Sequence, residues 1–131
     1  MQVTDHSRRR LMLSATRWSV CREYFDPLYN YLVHGFEPGS FWSAVLANDF
    51  MRAVQCSHPS NDLPALKHVA GWIQDSFPQS SYGDPDTVIL WCGLEPVQRR
   101  RILEQHNLIY SEQDEVMMIL RSEPAHEPML Y

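Results

Sequence analysis

The chain has 131 residues, of which 44% are hydrophobic and 21% are charged, a composition typical of a folded globular domain that excludes general disorder. A chain of this length can bury one hydrophobic core but is too short for two, so we expect a single domain. The formal net charge of −5 provides no global positive field that would draw the protein to nucleic acid or anionic lipid, so we expect neither as a partner.

The cysteine content indicates a reducing compartment. Cys21, Cys56 and Cys92 are far apart and odd in number. Secreted domains stapled by disulfides normally carry an even and denser set, so we interpret these three as free thiols of a cytoplasmic protein. No apolar run approaches the ~20 residues needed to cross a bilayer.

Helix boundaries are the clearest local signals along the chain. A capping residue followed by Pro marks a helix start, and Gly or Pro marks a helix end. These signals and the three-to-four-residue spacing of apolar side chains predict helices over residues 27–34, 41–54, 61–77, 84–91 and 95–106. Residues 1–10 and 122–131 are expected to be loose ends.

The segment after residue 106 has two interpretations. Residues 111–114 resemble a capping box that would lead into a helix over 116–120. The same residues could form the turn of a hairpin that pairs residues 107–110 with 115–120. The predicted fold is therefore all-α, a small compact bundle of five or six helices with a possible C-terminal β-hairpin.

The helix predicted over residues 41–54 is the most apolar one, and its buried side is expected to carry Trp42, Val45, Leu46, Ala53 and Val54, with Trp42 and Leu46 in the core. Its middle nevertheless carries three polar side chains, Asn48, Asp49 and Arg52. Asp49 and Arg52 are three residues apart, close enough for an ion pair on one helix face. If the helix is central, these groups form either a structural network or the polar floor of a binding pocket.

No motif in the sequence indicates catalysis or a cofactor. The pair Cys56-x-His58 stands alone, whereas structural zinc sites normally show two such pairs. None of the cysteines lies in a signature typical of a nucleophile, and the five glycines are isolated, so no phosphate-binding loop is present. We therefore expect no metal, no cofactor and no enzymatic activity.

Two arginine triplets, residues 8–10 and 99–101, could contact phosphate groups. The first falls in a segment expected to be loose. The second points in three helical directions, so it cannot form one basic stripe, and glutamates flank it. We interpret both as solvated faces.

Residues 31–91 carry a distinctive order of turns and helix residues, which consists of Pro38, Gly39, Phe41, Ala44, Val45, Leu46, Asn48, Asp49, Asn61, Pro78, Tyr82, Gly83 and Trp91. In the order and spacing of these residues, the segment resembles a family of short uncharacterised proteins encoded by bacteriophages and prophages. The chain departs from that pattern by extensions at both ends, and by His58-Pro59 in place of an Ala-Asp pair. The resemblance implies a virus-encoded accessory protein that acts in the cytoplasm of an infected bacterium.

The expected function is therefore binding of a host or viral macromolecule, for example to inhibit a host defence component. The residues expected to contact a ligand or partner are Asn48, Asp49, Arg52, Asn61, Tyr82 and Trp91. Alternatives are a binding protein for a nucleotide-like small molecule and, third, a small Cys/His or metal-dependent enzyme. Large apolar side chains outside the recognisable core, among them Trp18, Tyr24, Phe25 and residues 116–120, favour a homodimer.

Overall fold

The computed structural model describes residues 2–126, with side chains as far as residue 121. Within these residues the chain forms eight α-helices and no strand, which confirms the all-α class with more helices than the five or six expected. The helices are α1 (Asp5–Arg17), α2 (Arg22–His34), α3 (Ser40–Leu46), α4 (Phe50–Cys56), α5 (Leu63–Ser76), α6 (Pro85–Gly93), α7 (Pro96–Gln105) and α8 (Glu112–His126). A short 3-10 turn, Gln79–Ser81, lies between α5 and α6.

Residues 5–10, expected to be loose, instead form the first turns of α1. The Thr4 hydroxyl caps this helix by accepting the backbone N–H of Ser7 at 3.4 Å. Ser7, Leu11 and Ala15 are spaced four residues apart and are all buried. This stripe packs against α2, α5 and α8. Burial therefore stabilises a helix in a segment where the local sequence carries no helix signal.

Helix α2 begins at Arg22, five residues before the predicted start, and so contains Pro27. The cost of that proline is one missing backbone hydrogen bond. It is offset by burial of Phe25, whose ring stacks on Trp72 with centroids 6.2 Å apart. The helix ends as predicted at Gly35, which adopts a left-handed φ of 69° and donates its N–H to the Tyr31 carbonyl.

The segment after α7 is helical, so the hairpin alternative is wrong. Ser111 caps α8, accepting the Asp114 N–H on its hydroxyl and the Glu115 N–H on its carbonyl. The helix continues through residue 126, so the backbone of residues 122–126 is helical. Residues 127–131 lie outside the part of the chain that the structure describes.

The core is centred on α2, where Leu28, Tyr31, Leu32 and Val33 have no exposed surface. The Tyr31 hydroxyl donates to the Ser81 carbonyl at 2.6 Å, and its own carbonyl accepts the indole N–H of Trp91 at 3.1 Å. Burial raises the pKa of Tyr31 far above its ordinary value. These bonds tie the 3-10 turn and α6 to the central helix. None of the helices within residues 2–126 is both long and apolar enough to span a membrane.

Candidate functional site

The helix predicted over residues 41–54 is broken at residues 47–49 into α3 and α4. Asn48 adopts a left-handed φ of 61°, a conformation that Asn tolerates better than most residues. The carboxylate of Asp49 then accepts the backbone N–H of Arg52 at 3.2 Å and caps α4. The polar residues in the middle of the apolar stretch therefore mark a break between two helices.

Asn48, Asp49 and Arg52 are all exposed, so the expected partly buried polar network is wrong. The hydrogen bond between Asp49 and Arg52 is made by the backbone N–H of Arg52.

Since Asp49 acts as a helix cap, Asp49→Ala is expected to lower the free energy of unfolding by about 0.5–2 kcal/mol. Urea denaturation checks this value, with Arg52→Ala as a control expected to change stability by about 0.5 kcal/mol or less.

Beyond the break, α4 contributes no buried residue to the fold. Phe50, Met51 and Val54 have exposed fractions of 74%, 69% and 57%. Among the helices of the described chain, the neighbour that α4 contacts extensively is α3. The expected burial of Val54 is therefore wrong, whereas Trp42 and Leu46 on α3 are in the core as predicted.

An apolar groove of about 530 Å³ lies beside α4. One wall comes from α3 and α4, through Phe41, Val45, Phe50 and Val54, and the other comes from α5, through Leu63, Leu66, Val69 and Ala70. Asn48, Asp49, Ser57, Asn61 and Lys67 supply its polar groups. We name these residues the α4–α5 groove.

Asn61 anchors the loop that joins α4 to α5. Its side-chain oxygen accepts the Tyr24 hydroxyl at 2.7 Å, and its side-chain nitrogen donates to the Ser57 hydroxyl at 3.4 Å. Tyr24 itself packs edge-on against Trp42, with ring centroids 5.0 Å apart. The loop is thereby bonded to α2, at a residue that packs against α3.

The other predicted site residues lie elsewhere. Arg52 lines a separate depression of about 390 Å³ beside Glu37 and Pro85, and Asp49 borders both spaces. Trp91 is fully buried, so it has no surface with which to contact a ligand. Tyr82 is half-buried in a turn whose next residue, Gly83, donates its N–H to the Leu46 carbonyl at 2.8 Å. Asn48, Asp49 and Asn61 are the predicted residues that line the groove.

Two arginines of the second triplet are buried, contrary to the expected solvated face. The Arg99 guanidinium donates to the carbonyls of Val33 and Leu94, so it binds the C-terminal ends of α2 and α6. A Cβ added at Gly35 would lie 2.6 Å from the Arg99 Nη1, so a larger residue there would displace the guanidinium. Neither role is detectable from local sequence, because each depends on contacts between distant helices.

Arg100 belongs to a buried polar cluster with Glu115, Ser7 and Thr4. Its guanidinium donates to the Glu115 carboxylate and to the carbonyls of Gln2 and Tyr110. The same carboxylate accepts the hydroxyls of Ser7 and Thr4. Burial raises the pKa of Glu115, but the hydrogen bonds from Ser7, Arg100 and Thr4 outweigh it, so the pKa lies below its ordinary value. This cluster joins α1, α7 and α8.

Burial disfavours the reactive form of one of the three thiols, that of Cys92. Cys21, Cys56 and Cys92 are free. Burial, followed by the nearby charge of Glu37, raises the pKa of Cys92 and so disfavours its thiolate. Within the described residues, no three His, Cys, Asp or Glu side chains are grouped so that they could hold a metal ion.

Comparison with protein-family models, curated proteins and solved structures finds no match to this chain.

Proposed function

We propose that this protein is a non-catalytic binding protein that holds an amphipathic helix of a partner protein in the α4–α5 groove. The observation that supports this most is α4 itself, a helix that exposes Phe50, Met51 and Val54 to water and buries none of its residues. Contiguous apolar surface on a folded domain usually marks an interface. A groove between two helices is a common receptor for the apolar face of a third.

The charges at the groove define the chemistry of the partner. Asp49 lies at the start of α4 and Lys67 lies on α5, and both line the groove. A matching helix carries apolar side chains at positions i, i+4 and i+7, a basic residue near Asp49 and an acidic residue near Lys67. The resemblance of residues 31–91 to short bacteriophage proteins supports a host or viral protein as that partner, in the cytoplasm of an infected bacterium.

A nucleotide-like ligand held by Asn48, Asp49 and Arg52 has less support. The negative charge of Asp49 would repel a phosphate group, and Arg52 lines a different depression from Asn48. An enzyme that uses Cys92 in a Cys–His pair has still less, because burial disfavours the Cys92 thiolate.

Selection from a displayed library of helical 16-residue peptides tests the proposed function. We expect enriched peptides to share the apolar stripe, and to bind Phe50→Asp at least tenfold more weakly than wild type. Phe50 is exposed and opens α4, where an acidic residue is favourable for the helix, so this variant should fold. Leu90→Asp, at an equally exposed position on α6, is the matched control and should bind normally.

Failure to enrich any peptide, or equal binding by Phe50→Asp and wild type, would overturn the proposed function. Thermal denaturation of both variants verifies that they are folded.

The expected homodimer also remains a proposal, and α8 is the surface that supports it. Phe25 is buried and Tyr24 is bound to Asn61, so these side chains are used within the chain's own fold. On α8, by contrast, Val116, Met117 and Leu120 are exposed at the spacing of one helix face. Two such stripes from two copies can cover each other in an antiparallel pair.

Light scattering on a size-exclusion column at tens of micromolar tests the homodimer. We expect a dimer mass for the wild type and a monomer mass for Val116→Lys/Leu120→Lys. A monomer mass for the wild-type chain at that concentration would contradict it.

A further inference from the structure

A basic cleft of about 420 Å³ lies between α1 and α8 and shares no lining residue with the α4–α5 groove. Its cationic and imidazole side chains are Arg9, Arg10, Arg121 and His6. Leu13 and Met118 provide apolar walls, and the Tyr110 ring completes the lining.

The basic cleft is positively charged, whereas the whole chain has a negative net charge. The protein has a net charge of −5, yet no lining residue is acidic, and Asp5, the sequence neighbour of His6, does not line the cleft. Two arginines outside the cleft have acidic partners, Arg8 with Asp26 at 2.8 Å and Arg100 with Glu115. Arg9, Arg10 and Arg121 form no ion pair within the described residues. Three guanidinium groups around one cleft repel each other unless an anion lies between them.

The basic cleft is also held in place by the fold. The Arg10 guanidinium lies over the Tyr110 ring, 4.5 Å from its centroid, which fixes its direction. The Tyr110 backbone N–H donates to the Ser7 hydroxyl at 3.0 Å, and Ser7 belongs to the buried cluster with Glu115. The arginines of the first triplet are therefore presented by an anchored helix.

We propose that the basic cleft binds the phosphate groups of a small organic phosphate such as a nucleotide. Guanidinium groups match phosphate oxygens with paired hydrogen bonds, and side chains from two helices can hold one group from both sides. The volume is that of a small-ligand site, and Leu13 and Met118 offer apolar contact to the organic part. A nucleic acid strand would need a basic stripe longer than this single cleft.

Isothermal titration calorimetry with ATP, inorganic triphosphate and adenosine at low salt tests the proposed phosphate site. We expect saturable binding of ATP and triphosphate, no binding of adenosine, and affinity for ATP that falls as salt is added. Arg9→Gln/Arg121→Gln should weaken ATP binding at least tenfold. Arg17→Gln/Arg22→Gln removes the same charge at two exposed positions outside the cleft and should leave ATP binding unchanged.

Absence of saturable ATP binding at millimolar concentration would overturn the site. So would adenosine binding as tightly as ATP, or an equal loss of affinity in the two double variants. Because Phe50→Asp does not touch this cleft, failure of the groove and failure of the phosphate site are separate results.

Discussion

Replacing Arg100 with Met is expected to lower the free energy of unfolding by about 3–5 kcal/mol, which is typical of breaking a buried ion pair from one side. Arg100 and Glu115 are buried, with exposed fractions of 6% and 4%. The substitution leaves the Glu115 carboxylate buried with neutral donors from Ser7 and Thr4. It also removes the donors to the Gln2 and Tyr110 carbonyls, so the contact of α1 with α7 and α8 weakens.

Urea unfolding followed by tryptophan fluorescence measures this loss. Arg101→Met is the matched control, because Arg101 is the exposed neighbour on the same helix and should change stability by about 0.5 kcal/mol or less. Equal stabilities of the two variants would mean that the cluster does not hold the helices together.

The same ion pair makes stability depend on pH. The pKa of Glu115 is lower in the folded protein than its ordinary value of about 4.5. Its contribution to stability is therefore fully present above pH ~4.5 and is lost as pH falls through the lower, folded-state pKa. The stability difference between wild type and Glu115→Gln should shrink over that acidic range, and a difference that grows on acidification would contradict the pKa direction.

Leu46→Ala is expected to lower the free energy of unfolding by about 2–5 kcal/mol, the cost of creating a cavity in a packed core. Leu46 is 1% exposed at the end of α3 and belongs to the same core as Trp42 and Trp91. Its carbonyl also accepts the Gly83 N–H, so the cavity would open where α3 meets the turn before α6.

The same substitution at Leu90, which is 69% exposed on α6, is the control. Leu90→Ala removes the same atoms without creating a cavity, so it should cost about 0.5 kcal/mol or less. Chemical denaturation of both variants gives the comparison, and a midpoint for Leu46→Ala equal to that of wild type would contradict the packing of α3.

Where local chemistry decides a boundary, the sequence predicts the fold well. The cap-then-Pro signals at Asp84 and Glu95 each start a helix, and Gly35 ends one. Where tertiary burial decides, local signals fail. Helix α1 depends on burying Ser7 and Leu11 against distant helices, and α2 continues through Pro27 because Phe25 is buried.

The sequence makes Asn48 and Asp49 candidate site residues because polar side chains interrupt an apolar helix, and in the structure both line the proposed groove at a helix break. A continuous helix and a break both fit that pattern, and the left-handed φ of Asn48 selects the break. The sequence could not predict that α5 forms the second wall of the groove. The loop before α5 is positioned by the hydrogen bond between Tyr24 and Asn61, which are far apart in sequence.

Chemical-shift mapping of the ¹⁵N-labelled protein, titrated with a peptide from the helical library, tests the α4–α5 groove most directly. We expect large changes confined to residues 41–70, strongest around Phe50, Val54 and Leu66, with α8 unchanged. Changes centred on another helix, or a titration in which residues 41–70 do not move, would contradict the groove as the binding surface.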